Sequence, residues 1–135
     1  MEFSIKSTSP GQTKSGCAVV GVFESRKLSA PAALLDRAAK GFVSAILRRG
    51  DMEGRAGATL LLHNVSNVAC ERVLLIGLGR EAEFHDKQYR EAIAAAVKAL
   101  AATGAKDAEL HLTALTVGKR DAAWRIMHAT AVARE

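Results

Sequence analysis

The chain has 135 residues, 49% of them hydrophobic and 24% charged, which is the length and balance of one soluble globular domain and excludes disorder, collagen-like repeats and a second domain. The net charge of +5 divides as +4 over residues 1–55, −1 over residues 56–118 and +2 over residues 119–135. The positive excess therefore sits at the two ends, without the lysine tract or interleaved aromatics that mark a nucleic-acid binder.

The longest strongly apolar runs, Cys17–Phe23 and Val73–Leu78, are far shorter than the ~20 residues needed to cross a bilayer. The opening Met1-Glu2-Phe3-Ser4-Ile5-Lys6 has an acid where a signal peptide has a basic start, so the expected location is cytoplasmic. In chain order, Phe3 and Ile5 alternate with polar residues and predict a first strand over Phe3–Ser7, ended by Thr8-Ser9-Pro10-Gly11. Cys17–Phe23 has no polar face and reads as a central strand covered on both sides. Ser29 caps a predicted helix with Pro31 in its first turn, and Leu35, Ala38, Phe42 and Ile46 line its inner face up to Gly50. Gly41 falls in the middle of it and is ascribed to a close helix contact.

After a glycine-containing loop over 51–58, Thr59–His63 and Arg72–Ile76 predict two strands joined through Asn64–Glu71, as a long hairpin or an irregular crossing. Asp86 is the expected cap of a second helix, with Tyr89, Ile93, Val97 and Leu100 inward and Gly104 as its stop. Ala108, Leu110 and Leu112 alternate with Glu109, His111 and Thr113, the pattern of a half-exposed strand. A last helix starts near Gly118-Lys119-Arg120, with Trp124, Met127 and Ala131 on one side, and keeps helical register to Glu135 without a stop signal. The order β-β-α-β-β-α-β-α predicts an α/β sandwich with a mostly parallel or mixed sheet and helices on both faces.

Chemistry is sparse. His63, His85, His111 and His128 are too far apart in sequence for a local metal-ligand pair. Cys17 and Cys70 read as buried thiols. Gly77-Leu78-Gly79-Arg80-Glu81-Ala82 matches the dinucleotide fingerprint after a strand, but the next helix starts late and its first carboxylate would meet the phosphate, so a tight turn is expected. No catalytic, cofactor-binding or metal-ligating residue is assigned.

Gly41–Asp51, Gly54–His63 and Arg72–Gly79, together with Met1–Lys6 and Val19–Phe23, resemble the N-terminal domain of leucyl aminopeptidases, the bacterial cytosol aminopeptidase family. The resemblance implies a macro-domain-like three-layer sandwich. It also implies that residues 1–135 form a single non-catalytic N-terminal domain, truncated from a two-domain chain. The parent it implies is a cytoplasmic, hexameric exopeptidase that removes N-terminal residues such as leucine from peptides. Two divalent metals, zinc or manganese, and all catalytic groups would lie in the absent C-terminal domain. The expected partners are that domain and neighbouring subunits, and the expected role is assembly, access to the active sites or partner binding. The alternative is DNA binding through Arg48, Arg49, Lys119, Arg120 and Arg125, as in regulatory members of the family. A weaker one is a macro-type nucleotide-ligand binder, for which His63-Asn64-Val65-Ser66-Asn67 is a poor match to the Asn-rich ADP-ribose loop of true macro domains.

Overall fold

The computed structural model describes residues 2–4, 10–12, 14–112, 115, 124–126 and 129. Its strands are β1 (Glu2–Ser4), β2 (Ala18–Phe23), the two-residue β3 (Lys27–Leu28), β4 (Thr59–His63), β5 (Arg72–Gly79) and β6 (Asp107–Leu110). The helices are α1 (Ala30–Ala38), α2 (Phe42–Arg48) and α3 (Asp86–Ala101). They build one mixed sheet in the order β1-β6-β2-β5-β4. β1, β6, β2 and β5 run parallel. β4 runs antiparallel to β5, and β3 folds back on the end of β2. The polar stretch between β4 and β5 is thus a hairpin connection.

Cys17–Phe23 lies at the centre as its composition predicts, because a strand buried on both faces needs no polar alternation. Ala18, Val20 and Val22 pack with Ala32, Leu35, Val43 and Leu47 on one side, while Cys17 and Val19 pack with Tyr89, Ile93 and Leu100 on the other. Each fully buried Val or Leu side chain contributes roughly 1.5–3 kcal/mol, so both helical layers are held by the same strand. The chain passes from β2 through α1 and α2 on one face, then crosses β2 through α3 on the other face to reach β6.

Three local expectations are corrected. The helix foreseen over 29–50 is two helices. Lys40 (φ 57°) and Gly41 (φ 83°) adopt left-handed conformations between them, and the Asp36 carboxylate accepts the Ser44 backbone N–H at 2.9 Å, which caps the second helix from the first. A Cβ on Gly41 would meet nothing within 4 Å, so this glycine serves a turn and not a close helix contact. The break rotates the inner face onto Leu35, Ala39, Val43, Ile46 and Leu47, and leaves Phe42 45% exposed. His85, not Asp86, is the N-cap of α3; its backbone N–H donates to the Gln88 side chain at 3.2 Å. Finally, β6 is not half-exposed. It sits between β1 and β2, and Glu109 and His111 are as buried as Ala108 and Leu110.

Trp124 packs on Tyr89 with ring centroids 5.7 Å apart, as expected of the last helix's inner side. Ile5–Ser7 of the first strand, Thr113, Gly118, Met127 and Ala131 fall outside the described residues. No described helix is long and apolar enough to cross a membrane.

Candidate functional site

In open α/β sheets ligands bind beyond the carboxyl ends of the strands, where the connections diverge to opposite faces. Here those ends are Phe23 and Gly79. A cleft of about 420 Å³ opens there, lined by Glu24, Ser25, Arg26, Glu53 and Arg55. Ser25 (φ 65°) and Arg26 (φ 62°) are consecutive left-handed residues, which turn the chain sharply from β2 into β3. Glu53 lies 3.9 Å from the Arg26 guanidinium and 3.7 Å from that of Arg55; Glu24 pairs with Arg80 at 3.4 Å, and Lys27 with Glu81. The Arg55 side chain is 78% exposed, and such solvated pairs each contribute about 0–1 kcal/mol. The wall is therefore mixed in charge and suits recognition; among the described residues no hydrogen-bonded base activates the Ser25 hydroxyl, and none of the lining acids or bases is buried.

The loop over 54–58 lies across the ends of β2 and β5 and explains the glycine fingerprint. Gly57 N–H donates to the Gly77 carbonyl at 3.1 Å, Gly77 N–H to the Ala58 carbonyl at 2.7 Å, and Gly79 N–H to the Gly54 carbonyl at 2.9 Å. A Cβ on Gly77 would stand 1.8 Å from the Arg55 carbonyl oxygen, and one on Gly54 2.1 Å from that of Phe23. The glycines of the G-x-G stretch are thus filled by protein backbone, in the place where a dinucleotide site would put a pyrophosphate. A 3-10 turn over Glu81–Glu83 then separates Gly79 from α3.

A second polar cluster lies at the opposite end of the strands. Glu109 is 0% exposed. Its carboxylate accepts the Ser15 hydroxyl and lies 3.0 Å from His111 Nε2. Burial pushes the carboxyl upward, but the hydrogen bonds from His111 and Ser15, the His111 charge and the backbone of Gly11 outweigh it and hold Glu109 below its ordinary value. The carboxylate bridges serine and histidine, so histidine cannot take the serine proton and the trio is not a nucleophilic triad. Sequence alternation missed this cluster. The signal available was topological: a parallel β5-α3-β6 unit carries its last strand across into the sheet, and only a hydrogen-bonded carboxylate survives there.

Both cysteines are free and buried, and burial raises Cys17 to about 12 and Cys70 to about 11, the opposite of a reactive thiol. His63 ends β4 and His85 caps α3, while His128 lies outside the described residues. Among the described residues no three His, Cys, Asp or Glu side chains could hold a metal, so nothing in this donor set fits a two-metal site. Of the five cations considered for DNA, Arg48 and Arg49 end α2 on one face of the sheet, and Arg49 pairs with Asp51 at 3.2 Å. Arg125 lies on the other face, where its carbonyl accepts the Tyr89 hydroxyl at 2.6 Å. Lys119 and Arg120 fall outside the described residues.

Residues 19–135 match the model of the cytosol aminopeptidase family, N-terminal domain. This chain belongs to that family. It is 56% identical over 133 residues to a probable cytosol aminopeptidase of Dechloromonas aromatica, covering 98% of this chain and 27% of the relative. The chain spans about a quarter of the length of the curated relatives it matches, so it corresponds to the family's N-terminal domain alone. Among solved structures, a tomato leucine aminopeptidase variant superposes with a TM-score of 0.68 at 22% identity, over 98% of this chain and 26% of that one. The macrodomain of Mycobacterium tuberculosis DarG superposes at 0.69 with 8% identity, over 98% of this chain and 90% of that one.

The family's N-terminal domain is therefore macrodomain-like in fold, as the resemblance implied, and at these identities the likeness extends to fold alone. His63–Asn67 runs from the last residue of β4 into its connection to β5, at the end of the sheet opposite the cleft. Asn64 (φ 54°) and Asn67 (φ 67°) serve the left-handed positions of that turn.

Proposed function

We propose that this chain is the accessory, non-catalytic N-terminal domain of a two-metal leucyl aminopeptidase, serving assembly, access to the active sites or partner binding. The observation that carries this reading is the family match over residues 19–135, set against relatives nearly four times as long. In the parent, the catalytic domain would hold two divalent metals, zinc or manganese, and would remove N-terminal residues such as leucine from peptides in the cytoplasm of the cell. A dinuclear peptidase site needs shared ligands that place two metals about 3.5–4 Å apart, and the donor set described above offers no such cluster. This chain's partners would be its own catalytic domain and neighbouring subunits of a homo-hexamer. The mixed-charge cleft of Glu24, Arg26, Glu53 and Arg55 and the exposed Leu34 and Phe42 are surfaces suited to such contacts.

The test is turnover of leucine amide-type substrates, with zinc or manganese added, by the purified chain, by the catalytic domain of the parent, and by the two mixed. The chain alone is silent, and mixing changes the size or activity of the catalytic domain. Turnover that co-purifies with the 14.3 kDa species refutes the reading.

A further inference from the structure

Among the described residues β4 is an outer strand of the sheet, and no other strand pairs with its free edge. In the β4–β5 ladder the partners are Thr59↔Ile76, Leu60↔Leu75, Leu61↔Leu74, Leu62↔Val73 and His63↔Arg72. Just beyond its two ends, Gly77 N–H donates to the Ala58 carbonyl and Asn64 N–H to the Glu71 carbonyl. Antiparallel pairs alternate between hydrogen-bonded and non-bonded, so Leu60 and Leu62 direct their backbone groups at β5. Thr59, Leu61 and His63 direct theirs away from the sheet. Among the described residues none of these outward groups has a partner.

Natural edge strands are blunted by lysine, proline, a bulge or an inward charge. Residues 58–64, Ala-Thr-Leu-Leu-Leu-His-Asn, contain no proline and no Lys, Arg, Asp or Glu, and the β4–β5 register runs without a bulge. The three leucines are half-buried and flanked by exposed Thr59 and His63. Such an edge is built to be covered.

We infer that β4 pairs with β4 of a second copy of this chain, antiparallel about a two-fold axis through Leu61, so that two sheets become one. The strand is its own complement in this register. Leu61 faces Leu61 of the copy, Leu60 faces Leu62, Thr59 faces His63 and Ala58 faces Asn64. No like charges meet anywhere over the seven positions, and apolar side chains oppose apolar ones at the centre. The outward groups of Thr59, Leu61 and His63 fall in hydrogen-bonded positions of the new ladder, and each strand's three N–H groups find three carbonyls. A two-fold contact of this kind is closed, so it yields a dimer and not a fibre. The inference deepens the assembly role proposed above and rests on it for its biological setting. The strand pairing can fail while docking to the catalytic domain succeeds, so the two readings fall separately.

The experiment is sedimentation velocity on the 135-residue chain from micromolar to millimolar concentration, with two double variants at exposed positions. The wild-type chain forms dimers within that range. Thr59→Lys with His63→Lys sets lysine opposite lysine twice per dimer and weakens association by about two- to thirty-fold, whereas Thr59→Lys with His63→Asp sets opposite charges there and restores or tightens it. Far-UV circular dichroism and the urea midpoint establish that both variants fold. A chain that stays monomeric throughout overturns the inference. So does a dimer indifferent to both double variants, which would place the contact on another surface such as Leu34 and Phe42.

Discussion

Replacing Glu109 isolates the chemistry of the buried polar cluster. In Glu109→Ala the Ser15 hydroxyl and His111 Nε2 lose their shared partner at positions that are 9% and 2% exposed, too dry for water to substitute freely. Breaking a buried hydrogen-bonded charge by removing one partner costs about 3–5 kcal/mol. With a urea slope of about 1–3 kcal/mol per molar, the midpoint should fall by roughly 1–5 M. Glu109→Gln keeps the shape and one carbonyl acceptor, and His111 can present either ring nitrogen form, so the loss should be nearer 1–3 kcal/mol. The pH dependence separates charge from shape. Glu109 has a folded pKa held below its ordinary value of 4.5, so the unfolded chain takes up this proton first as pH falls. Its stabilisation is complete above the unfolded value and drains away as pH drops from about 4.5 through the folded one. Urea titrations followed by circular dichroism at neutral pH and at two acid pH values should show the wild type converging on Glu109→Gln as pH falls. Parallel pH profiles for the two proteins, or an Ala midpoint no lower than that of the exposed control Glu83→Ala, would refute the electrostatic account.

Gly77→Ala drives a methyl group into the Arg55 carbonyl and should break the three backbone hydrogen bonds of the 54–58 loop, lowering stability by about 2–4 kcal/mol in urea melts. Phe42→Ala should cost only about 1 kcal/mol because the ring is 45% exposed, whereas Leu35→Ala, wholly buried, should cost about 2–5 kcal/mol; equal midpoints for the two would contradict the break at Gly41. The isolated chain should bind duplex DNA no tighter than roughly 10⁻⁴ to 10⁻⁶ M at physiological salt, since Arg48 and Arg125 sit on opposite faces; nanomolar, salt-resistant fluorescence anisotropy would overturn that separation.

The elements whose hydrophobic pattern reflects their own two faces were legible from sequence. β2 and α3 appear where uniform burial and the Tyr89–Ile93–Leu100 stripe place them. Where a neighbour decides the environment, pattern alone misled. Glu109 and His111 alternate with leucines and look solvated, yet β1 closes over the edge of β6 and the cluster bonds itself inside. Phe42 has ideal spacing for a helix face, but two left-handed residues before it reset the phase. The cleft was not legible at all, since Glu24–Arg26 and Glu53–Arg55 are joined only by the way a loop crosses two strand ends.

β1 pairs, among the described residues, with β6 alone, and the register sets Glu2 against Asp107. A chain emerging from the ribosome therefore makes its first strand over a hundred residues before that strand has anywhere to go. At about 5–20 residues per second the wait is on the order of 5–20 s. The β4–β5 hairpin, whose ends His63 and Arg72 are close in sequence, can close in microseconds once made. Assembly of the sheet thus runs outward from the β4–β5 hairpin, and β1 docks only after β6 has been made.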